Sequence, residues 1–240
     1  MTLHETVHEG GPETGHEEHP DGIRERKKLA TRRSLRRHAL DLFARRGFAK
    51  VTVEDIAAAA DVSPRTFFNY FPSKEAALLD ATPEKLESVR LAILSAASGA
   101  TALGAVQVAL AKEACELVED VEALGHEPGQ IVQIMKAASA DPEFRAARAA
   151  QMANLERAVA SAVAERFGVD VEKDPYPLLL AGTAVAAMRV AIFAWASLGG
   201  KVPIATLTNA ALCALGEGLG EDNSFRRVVL GDRSASKGAK

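Results

Sequence analysis

The stretch that decides the fold runs from Thr52 to Lys74 and reads TVEDIAAAADVSPRTFFNYFPSK. Thr52 can begin a first helix because its hydroxyl can accept a hydrogen bond from a free amide of the first turn. A second start signal is Ser63 followed by Pro64, since proline suits the first helical position, where no amide hydrogen is needed. The stretch therefore predicts two short helices joined by a tight turn at 61–63, with a third helix beginning at its end.

The second short helix has an aromatic face and a polar face. Phe67, Tyr70 and Phe71 recur at i, i+3 and i+4, and we expect them to face inward. Two short helices joined by a tight turn form a helix-turn-helix, whose second helix lies in the major groove of DNA. Arginine pairs with guanine and asparagine with adenine, whereas threonine and lysine suit phosphate oxygens. The predicted DNA contacts are Thr52, Pro64, Arg65, Thr66, Phe68, Asn69, Tyr70 and Lys74.

These residues resemble the DNA-binding domain of the TetR family of bacterial transcriptional repressors. The most specific part is the run 66–74, TFFNYFPSK, where aromatic residues are followed by a capping serine and a lysine. The resemblance implies an all-α fold with an N-terminal three-helix helix-turn-helix domain and a C-terminal helical domain that binds a ligand and dimerises. The alternative is a helical hairpin with an aromatic core and no contact with DNA. Thr52, Asp55-Ile56-Ala57 and the turn Ala60-Asp61-Val62-Ser63 also carry the resemblance.

Charge is unevenly distributed along the 240 residues. The net charge is −3, but residues 24–50 contain 11 basic and two acidic side chains, so this block carries +9 and the remainder −12. A basic block directly before a helix-turn-helix is typical of a surface that meets phosphate. The alternative is a solvated, arginine-rich helix face.

Composition and helix punctuation divide the chain into four segments. Residues 1–22 are predicted to be a disordered tail, 23–73 the helix-turn-helix domain, 74–220 the ligand-binding and dimerisation domain, and 221–240 a flexible tail. The first helix is expected from about Arg24 to Arg46. The pair Thr82-Pro83 predicts a kink or restart in the fourth helix, which is either harmless or a joint through which the ligand acts on the DNA-binding domain. No rigid frame holds the tail histidines, His4, His8, His16 and His19, as metal ligands.

The C-terminal half reads as helix after helix. The starts are expected at Thr101, Pro128, Asp141-Pro142, Asp174-Pro175 and Pro203. The apolar stretch 178–198 contains Arg189, which at a bilayer centre would cost about 2.5–3.5 kcal/mol. A buried helix shared by two subunits therefore explains this stretch better than a membrane span. The resemblance implies a homodimer through the last two long helices, about 175–198 and 203–219.

The resemblance also implies a pocket in the C-terminal domain for a small apolar or amphipathic inducer. The candidate lining residues are methionine and aromatic side chains, although such residues at helical spacing are more often plain core. Either Arg189 or Gln133 would supply the polar contact. The candidates are Met135, Phe144, Met152, Met188, Arg189 and Phe193.

Motifs for other functions are missing from the sequence. It contains no G-x-G-x-x-G, P-loop, His-Glu-x-x-His or Gly-x-Ser-x-Gly pattern, so we expect no enzyme, cofactor or metal. Cys115 and Cys213 are far apart and no secretory signal is visible, which favours the cytoplasm. The prediction is a repressor that binds a palindromic operator as a dimer and is released by a small molecule. The alternatives are a non-specific architectural DNA-binding protein without an effector, and an activator of the same fold.

Overall fold

The computed structural model describes residues 20–219 and 224–230, in which every regular element is helical, so the all-α prediction is confirmed. A short 3₁₀ turn, Phe48–Lys50, separates the first two α-helices. The helices are α1 (Pro20–Arg46), α2 (Val53–Ala59), α3 (Pro64–Phe68), α4 (Lys74–Leu79), α5 (Pro83–Leu94), α6 (Ala102–Ala123), α7 (Pro128–Ala138), α8 (Pro142–Phe167), α9 (Tyr176–Ser197), α10 (Ile204–Gly216) and α11 (Ser224–Leu230).

Capping side chains begin several helices where the sequence predicts them, whereas α7, α9 and α10 begin without a side-chain cap. The Thr52 hydroxyl accepts from the amide of Asp55 at 3.1 Å, and the Asp55 carboxylate accepts from the amide of Thr52 at 3.0 Å. This reciprocal pair is a capping box, which satisfies two amides that the first helical turn leaves free. Ser63 caps α3 by accepting from the amide of Thr66 at 3.1 Å, and Thr101 and Asp141 cap α6 and α8.

An aromatic core holds the N-terminal helices together. The rings of Phe43 and Phe48 lie 4.9 Å apart, and the edge of the Phe144 ring meets Phe48 at 5.5 Å. Phe144 is completely buried in this cluster, which also receives side chains from α6 and α7. The two predicted domains therefore share one core across residue 74.

The C-terminal helices form a bundle in which α8 is bound to α5 by two arginines. Arg90 donates two hydrogen bonds to the Glu165 carboxylate, at 2.9 and 2.8 Å. Arg166 donates to the carbonyls of Ile93 and Leu94, where α5 ends. The Arg166 contacts satisfy carbonyls that a helix end leaves without a partner.

The two ends of the chain differ from the prediction. α1 begins at Pro20 instead of Arg24, so part of the predicted 1–22 tail is helical. Part of the predicted flexible tail 221–240 is α11. Phe225, Val228 and Val229, at i, i+3 and i+4, form an apolar stripe that packs on the hydrophobic cluster of α6, α9 and α10. Residues 1–19 with their four histidines, 220–223 and 231–240 lie outside the described residues.

The fourth predicted helix is interrupted, as expected, and it restarts. Asp80 ends α4 in a left-handed conformation, with φ 51° and ψ 34°, and the Thr82 hydroxyl caps α5 by accepting from the amide of Lys85 at 3.2 Å.

In the described part of the chain, α9 is the one helix with the length and composition to cross a membrane, and core helices of water-soluble proteins pass the same test.

Candidate functional sites: an exposed helix face and a buried cavity

The outer face of α3 presents polar and aromatic side chains to solvent. Arg65 and Asn69 are exposed, and 53% of Phe68 is exposed. On the opposite face, Phe67 and Phe71 are buried with their ring centroids 5.7 Å apart, as the periodicity predicts. A buried aromatic face fixes the rotation of a five-residue helix that its own hydrogen bonds hold weakly. Pro64 is exposed, while Thr66 and Tyr70 are half-buried.

Lys74 does not lie on this outer face. Its ammonium donates to the carbonyls of Phe48 and Val51, at 3.3 and 3.1 Å, and lies 4.6 Å from the Phe48 ring centroid. These internal hydrogen bonds form because the start of α4 packs against the 3₁₀ turn, and the phosphate contact of Lys74 stays a prediction. Thr52 remains exposed at the α2 start, with its hydroxyl in the capping box.

The basic block of α1 has two different roles. Most of its described arginines and lysines are exposed, which leaves a positive surface beside the helix-turn-helix. Arg32 and Arg36 instead turn inward, and Arg36 is only 4% exposed. The guanidinium of Arg32 lies 4.7 Å from the Phe71 ring centroid, so this arginine also contacts the core behind α3.

The two inward arginines meet a buried carboxylate at the α4–α5 joint. Asp80 is 3% exposed, and its oxygens lie 2.6 Å from Arg32, 2.9 Å from Arg36 and 2.9 Å from Lys85. Lys85 also pairs with Asp120 of α6 at 2.7 Å. We call these five residues the Asp80 hub. The hub ties α1, which packs on the helix-turn-helix, to α5 and α6 of the C-terminal bundle.

Neighbouring charges favour the ionised forms of Asp80 and Lys85 in the hub. Burial has the largest single effect on the pKa of Asp80 and raises it, but the charges of Arg36, Lys85 and Arg32 together lower that pKa below its usual value. Burial likewise lowers the pKa of Lys85, and the charges of Asp80 and Asp120 reverse this and raise it. Each group therefore stays charged because its partners are present.

A cavity of about 120 Å³ lies beside the hub, among α4 to α10. Most of its wall is apolar, and Trp195, the sole tryptophan of the chain, is part of it. Charged or polar side chains reach it at several points: Arg36, Asp80, Lys85, Glu113, Arg148, Gln151 and Arg189.

Four of the six predicted ligand residues line this cavity, namely Met135, Met152, Met188 and Arg189. Phe144 does not, because it fills the aromatic core against Phe48. Phe193 does not either: it is 62% exposed on the outer side of α9, and Gln133 is exposed on α7. Phe144 and Phe193 line instead an open groove between α8 and α9. Side-chain type alone could not separate these cases, since the direction in which each helix faces depends on its neighbours.

Glu113 is a cavity residue that the sequence analysis overlooked. Burial raises the pKa of its carboxyl, Lys85 opposes this, and the acidic neighbours Glu116, Asp120 and Asp80 raise it further. Its Oε2 atom is buried without a hydrogen-bond partner among the described residues. A signal was available, because Glu113 stands on the α6 face that carries Leu110 and Leu117 at i−3 and i+4, where an apolar residue is expected.

Two family models match the chain. The model of bacterial regulatory proteins of the tetR family matches residues 35–81, and that of the MftR C-terminal domain matches residues 122–220. The HTH-type transcriptional regulator TcmR of Streptomyces glaucescens is 32% identical over 174 residues, which are 72% of this chain and 76% of TcmR. The chain belongs to the TetR family of transcriptional regulators. Members of this family are DNA-binding regulators.

Solved structures of this family share the fold. The Thermus thermophilus FadR, a TetR family transcriptional repressor in complex with lauroyl-CoA, is 25% identical with a TM-score of 0.51, over 80% of this chain and 96% of that chain. FadR from Bacillus halodurans, a fatty acid degradation regulator, is 18% identical with a TM-score of 0.53, over 79% of this chain and 96% of that chain.

Proposed function

We propose that this TetR family regulator is a homodimeric repressor that a small apolar or amphipathic molecule releases from a palindromic operator. The observation that carries the proposal is that the cavity and the DNA-binding unit share side chains. Arg36, Asp80 and Lys85 line the cavity and also hold α1 in place. A molecule in the cavity therefore touches the residues that set the position of the helix-turn-helix.

The outer face of α3 supports the DNA-reading part of the proposal. Arg65 and Asn69 are exposed on the helix that enters the major groove in a helix-turn-helix, where they would read base edges. Phe68 would make apolar contacts beside them. The exposed basic side chains of α1 would lie along the phosphate backbone. The remaining DNA contacts in this proposal are those of Thr52, Pro64, Thr66 and Tyr70.

The outer face of α9 supports the dimer. Leu178, Leu179, Val190 and Phe193 are exposed on it, and Leu179 is 65% exposed. A second copy related by a two-fold axis would cover this stripe and place two α3 helices on successive half-sites, about 34–36 Å apart. Since α10 already packs on α6, α9 and α11, we assign more of the interface to α9 than to the segment 203–219.

The size of the cavity supports a mechanism of release. Ligand pockets usually enclose about 300–1,000 Å³, so a ligand of that size must push the walls of this cavity apart. The displaced walls include Asp80 and Lys85, and α1 would move with them. An amphipathic ligand is supported by the lauroyl-CoA complex of Thermus thermophilus FadR.

The experiment is selection and sequencing of DNA fragments bound by the purified protein, with and without candidate ligands. We expect a palindrome whose half-sites are about 10–10.5 base pairs apart, centre to centre. Selection without a preferred sequence would favour the architectural alternative. Deleting the selected site in front of a reporter gene should raise its transcription, and a fall would identify an activator.

Replacing Arg65 tests the assignment of α3. The substitution Arg65→Ala should reduce discrimination against the wrong base by about 1–3 kcal/mol, because a bidentate contact with guanine is lost. The measurement is a competition binding assay with operator and random DNA. Arg157→Ala, an exposed change on α8, is the control and should leave both affinities unchanged. Equal behaviour of the two variants would exclude α3 as the reading helix.

A further inference from the structure

Arg148 of α8 and Arg189 of α9 have no anionic partner. Neither guanidinium has a hydrogen bond or an ion pair with any residue in 20–219 or 224–230. Burial lowers the pKa of Arg148, and the positive charge of Arg189 lowers it further. The two positive charges are thus close to each other, and the described chain does not neutralise them.

Arg148 differs from the other half-buried cations of the described chain, because it has no oxygen partner. The other buried or half-buried arginines and lysines of the described chain all have oxygen partners: Arg32, Arg36, Lys74, Lys85, Arg90 and Arg166. Arg148 is half-buried and has none. A partly desolvated charge without a partner destabilises a folded protein, so an unpaired one calls for an explanation outside the chain.

The position of Arg148 and Arg189 indicates what could neutralise their charges. Arg148, Met152 and Arg189 line the internal cavity and also an open groove between α8 and α9 on the surface. The two arginines therefore stand where the apolar cavity meets the groove, with Arg148 half-buried and Arg189 exposed. Val190 and Phe193 of the proposed dimer stripe line the same groove, so a second copy of the chain would border the site. The cavity wall on the inner side is formed by Met188, Ile192 and Trp195 among others.

We propose that Arg148 and Arg189 bind the acid group of an anionic amphipathic ligand whose apolar body enters the cavity. The shared chemistry is a carboxylate or phosphate, which guanidinium groups bind through paired, charge-assisted hydrogen bonds. This inference rests on the proposed ligand-responsive function and adds the charge of the ligand. Glu113 disfavours an anion near the Asp80 hub, so the acid group is oriented toward α8 and α9.

The apolar body has a limited size. An engineered apolar cavity of about 150 Å³ accepts benzene, and the cavity here has about 120 Å³. A ring or a short alkyl chain fits with little rearrangement, whereas a longer chain must move the walls. Octyl compounds, with eight carbons against the six of benzene, lie just beyond this limit, so they fill the cavity and press on its walls.

The test compares four ligands that carry the same octyl chain. Full-length protein is titrated with octanoate, octyl phosphate, 1-octanol and octylammonium, with Trp195 fluorescence and calorimetry as readouts. We expect at least one of the two anions to bind tenfold or more tightly than 1-octanol, and octylammonium to bind most weakly. The better anion identifies the acid group as a carboxylate or a phosphate.

Variants separate charge recognition from a structural role. Arg148→Gln and Arg189→Gln should each weaken binding of the anion tenfold or more, because a charge-assisted hydrogen bond is lost. Binding of 1-octanol should change less than twofold. Arg157→Gln, on the same helix but outside the cavity wall, is the matched control and should change neither affinity.

Several outcomes would overturn the inference. These are failure of all four compounds to bind, equal binding of octanoate, octyl phosphate and 1-octanol, or an equal loss of all ligands in Arg148→Gln. If Arg189→Gln changed only the monomer–dimer equilibrium, its partner would be a carboxylate of the second subunit. These readouts involve no DNA, so they test ligand binding separately from release of the operator. If the protein binds the anion as expected but stays on its operator, the proposed release is refuted and this inference stands.

Discussion

The Asp80 hub and the Arg148–Arg189 pair contact the same cavity, but they differ in how their charges are satisfied. In the hub, three cations surround one buried carboxylate at 2.6–2.9 Å. In the pair, two cations lie near each other, and neither forms an ion pair with a carboxylate of the described residues, although Glu156 lines the same groove. The difference indicates that the hub is part of the folded framework, whereas the pair is completed by a molecule that the chain does not supply.

The comparison also separates two costs. Taking paired charges out of water has a small net effect, whereas removing one partner leaves the others buried and uncompensated. Removing a charge that has no partner should instead increase the stability of the folded protein. Stability measurements on the unliganded protein can therefore distinguish the two regions.

The largest effect is expected for Asp80→Asn. Asparagine tolerates the left-handed conformation of this residue, so the change removes the charge without straining the backbone. Arg36 would remain buried and Arg32 half-buried without a carboxylate, whereas Lys85 would keep only its pair with Asp120, at a total cost of about 3–5 kcal/mol. Urea denaturation measures this cost. Asp170→Asn, which loses an exposed pair with Lys173, is the control and should change stability by under about 1 kcal/mol. If Asp80→Asn also changed stability by under about 1 kcal/mol, the hub would not hold α1 to the C-terminal bundle.

The dependence of stability on pH should differ between the wild type and Asp80→Asn. The folded-state pKa of Asp80 is lowered, so its contribution is present above the unfolded pKa of about 3.9 and disappears as the pH falls through the folded value. The pKa of Lys85 is raised, so its contribution disappears as the pH rises past about 10.4. Denaturation midpoints should therefore fall more steeply below about pH 4 in the wild type than in the variant. Parallel curves would contradict the assigned charges.

A smaller effect of opposite sign is expected for Arg148→Met. The change removes an unpaired, half-buried charge and adds apolar contact with the cavity, so the unliganded protein should gain about 1 kcal/mol or remain unchanged. Thermal unfolding without ligand measures this gain. Arg157→Met provides the comparison at an exposed position of the same helix. A loss of several kcal/mol for Arg148→Met would show that the arginine has a structural partner and that the two regions are alike.

The smallest effect is expected for Glu113→Gln. The raised pKa means that the folded protein disfavours the charged carboxylate, so at pH 7 the neutral variant should be slightly more stable, by under about 1 kcal/mol. The gain should disappear below about pH 4, where the carboxyl of both states is protonated. Melting temperatures of the two proteins at pH 7 and pH 4 measure it. A gain that persists at low pH would have to come from packing instead of charge.

The sequence predicts well those features that depend on neighbouring residues. The caps at Thr52, Ser63, Thr82, Thr101 and Asp141 are hydrogen bonds to amides two or three residues away, so each is visible in a window of a few residues. The aromatic spacing of α3 likewise gives its buried and exposed faces. These local features, together with the family resemblance, were sufficient for the all-α fold.

Features that depend on distant residues were missed or assigned wrongly. Phe144 has the composition of a pocket residue and packs against Phe48, which lies 96 positions away. Two arginines of a block interpreted as a DNA surface bind Asp80. Arg36 stands on the α1 face that carries Ala39 and Leu40, and Arg37 does not, but the carboxylate that Arg36 meets comes from residue 80 and is invisible within the block. The apolar stripe of α11 was overlooked because charged residues surround it.

By itself, the amino-acid sequence determined the helices, the reading face of α3 and the family, because capping, helical periodicity and the aromatic motif act over short distances. Only the tertiary structure decided which charges meet: Asp80 with Arg32, Arg36 and Lys85, and Arg148 beside Arg189 without an anion. The physical reason is that a side chain's charge partners depend on the orientation of packed helices, and this orientation results from contacts between residues far apart in the chain.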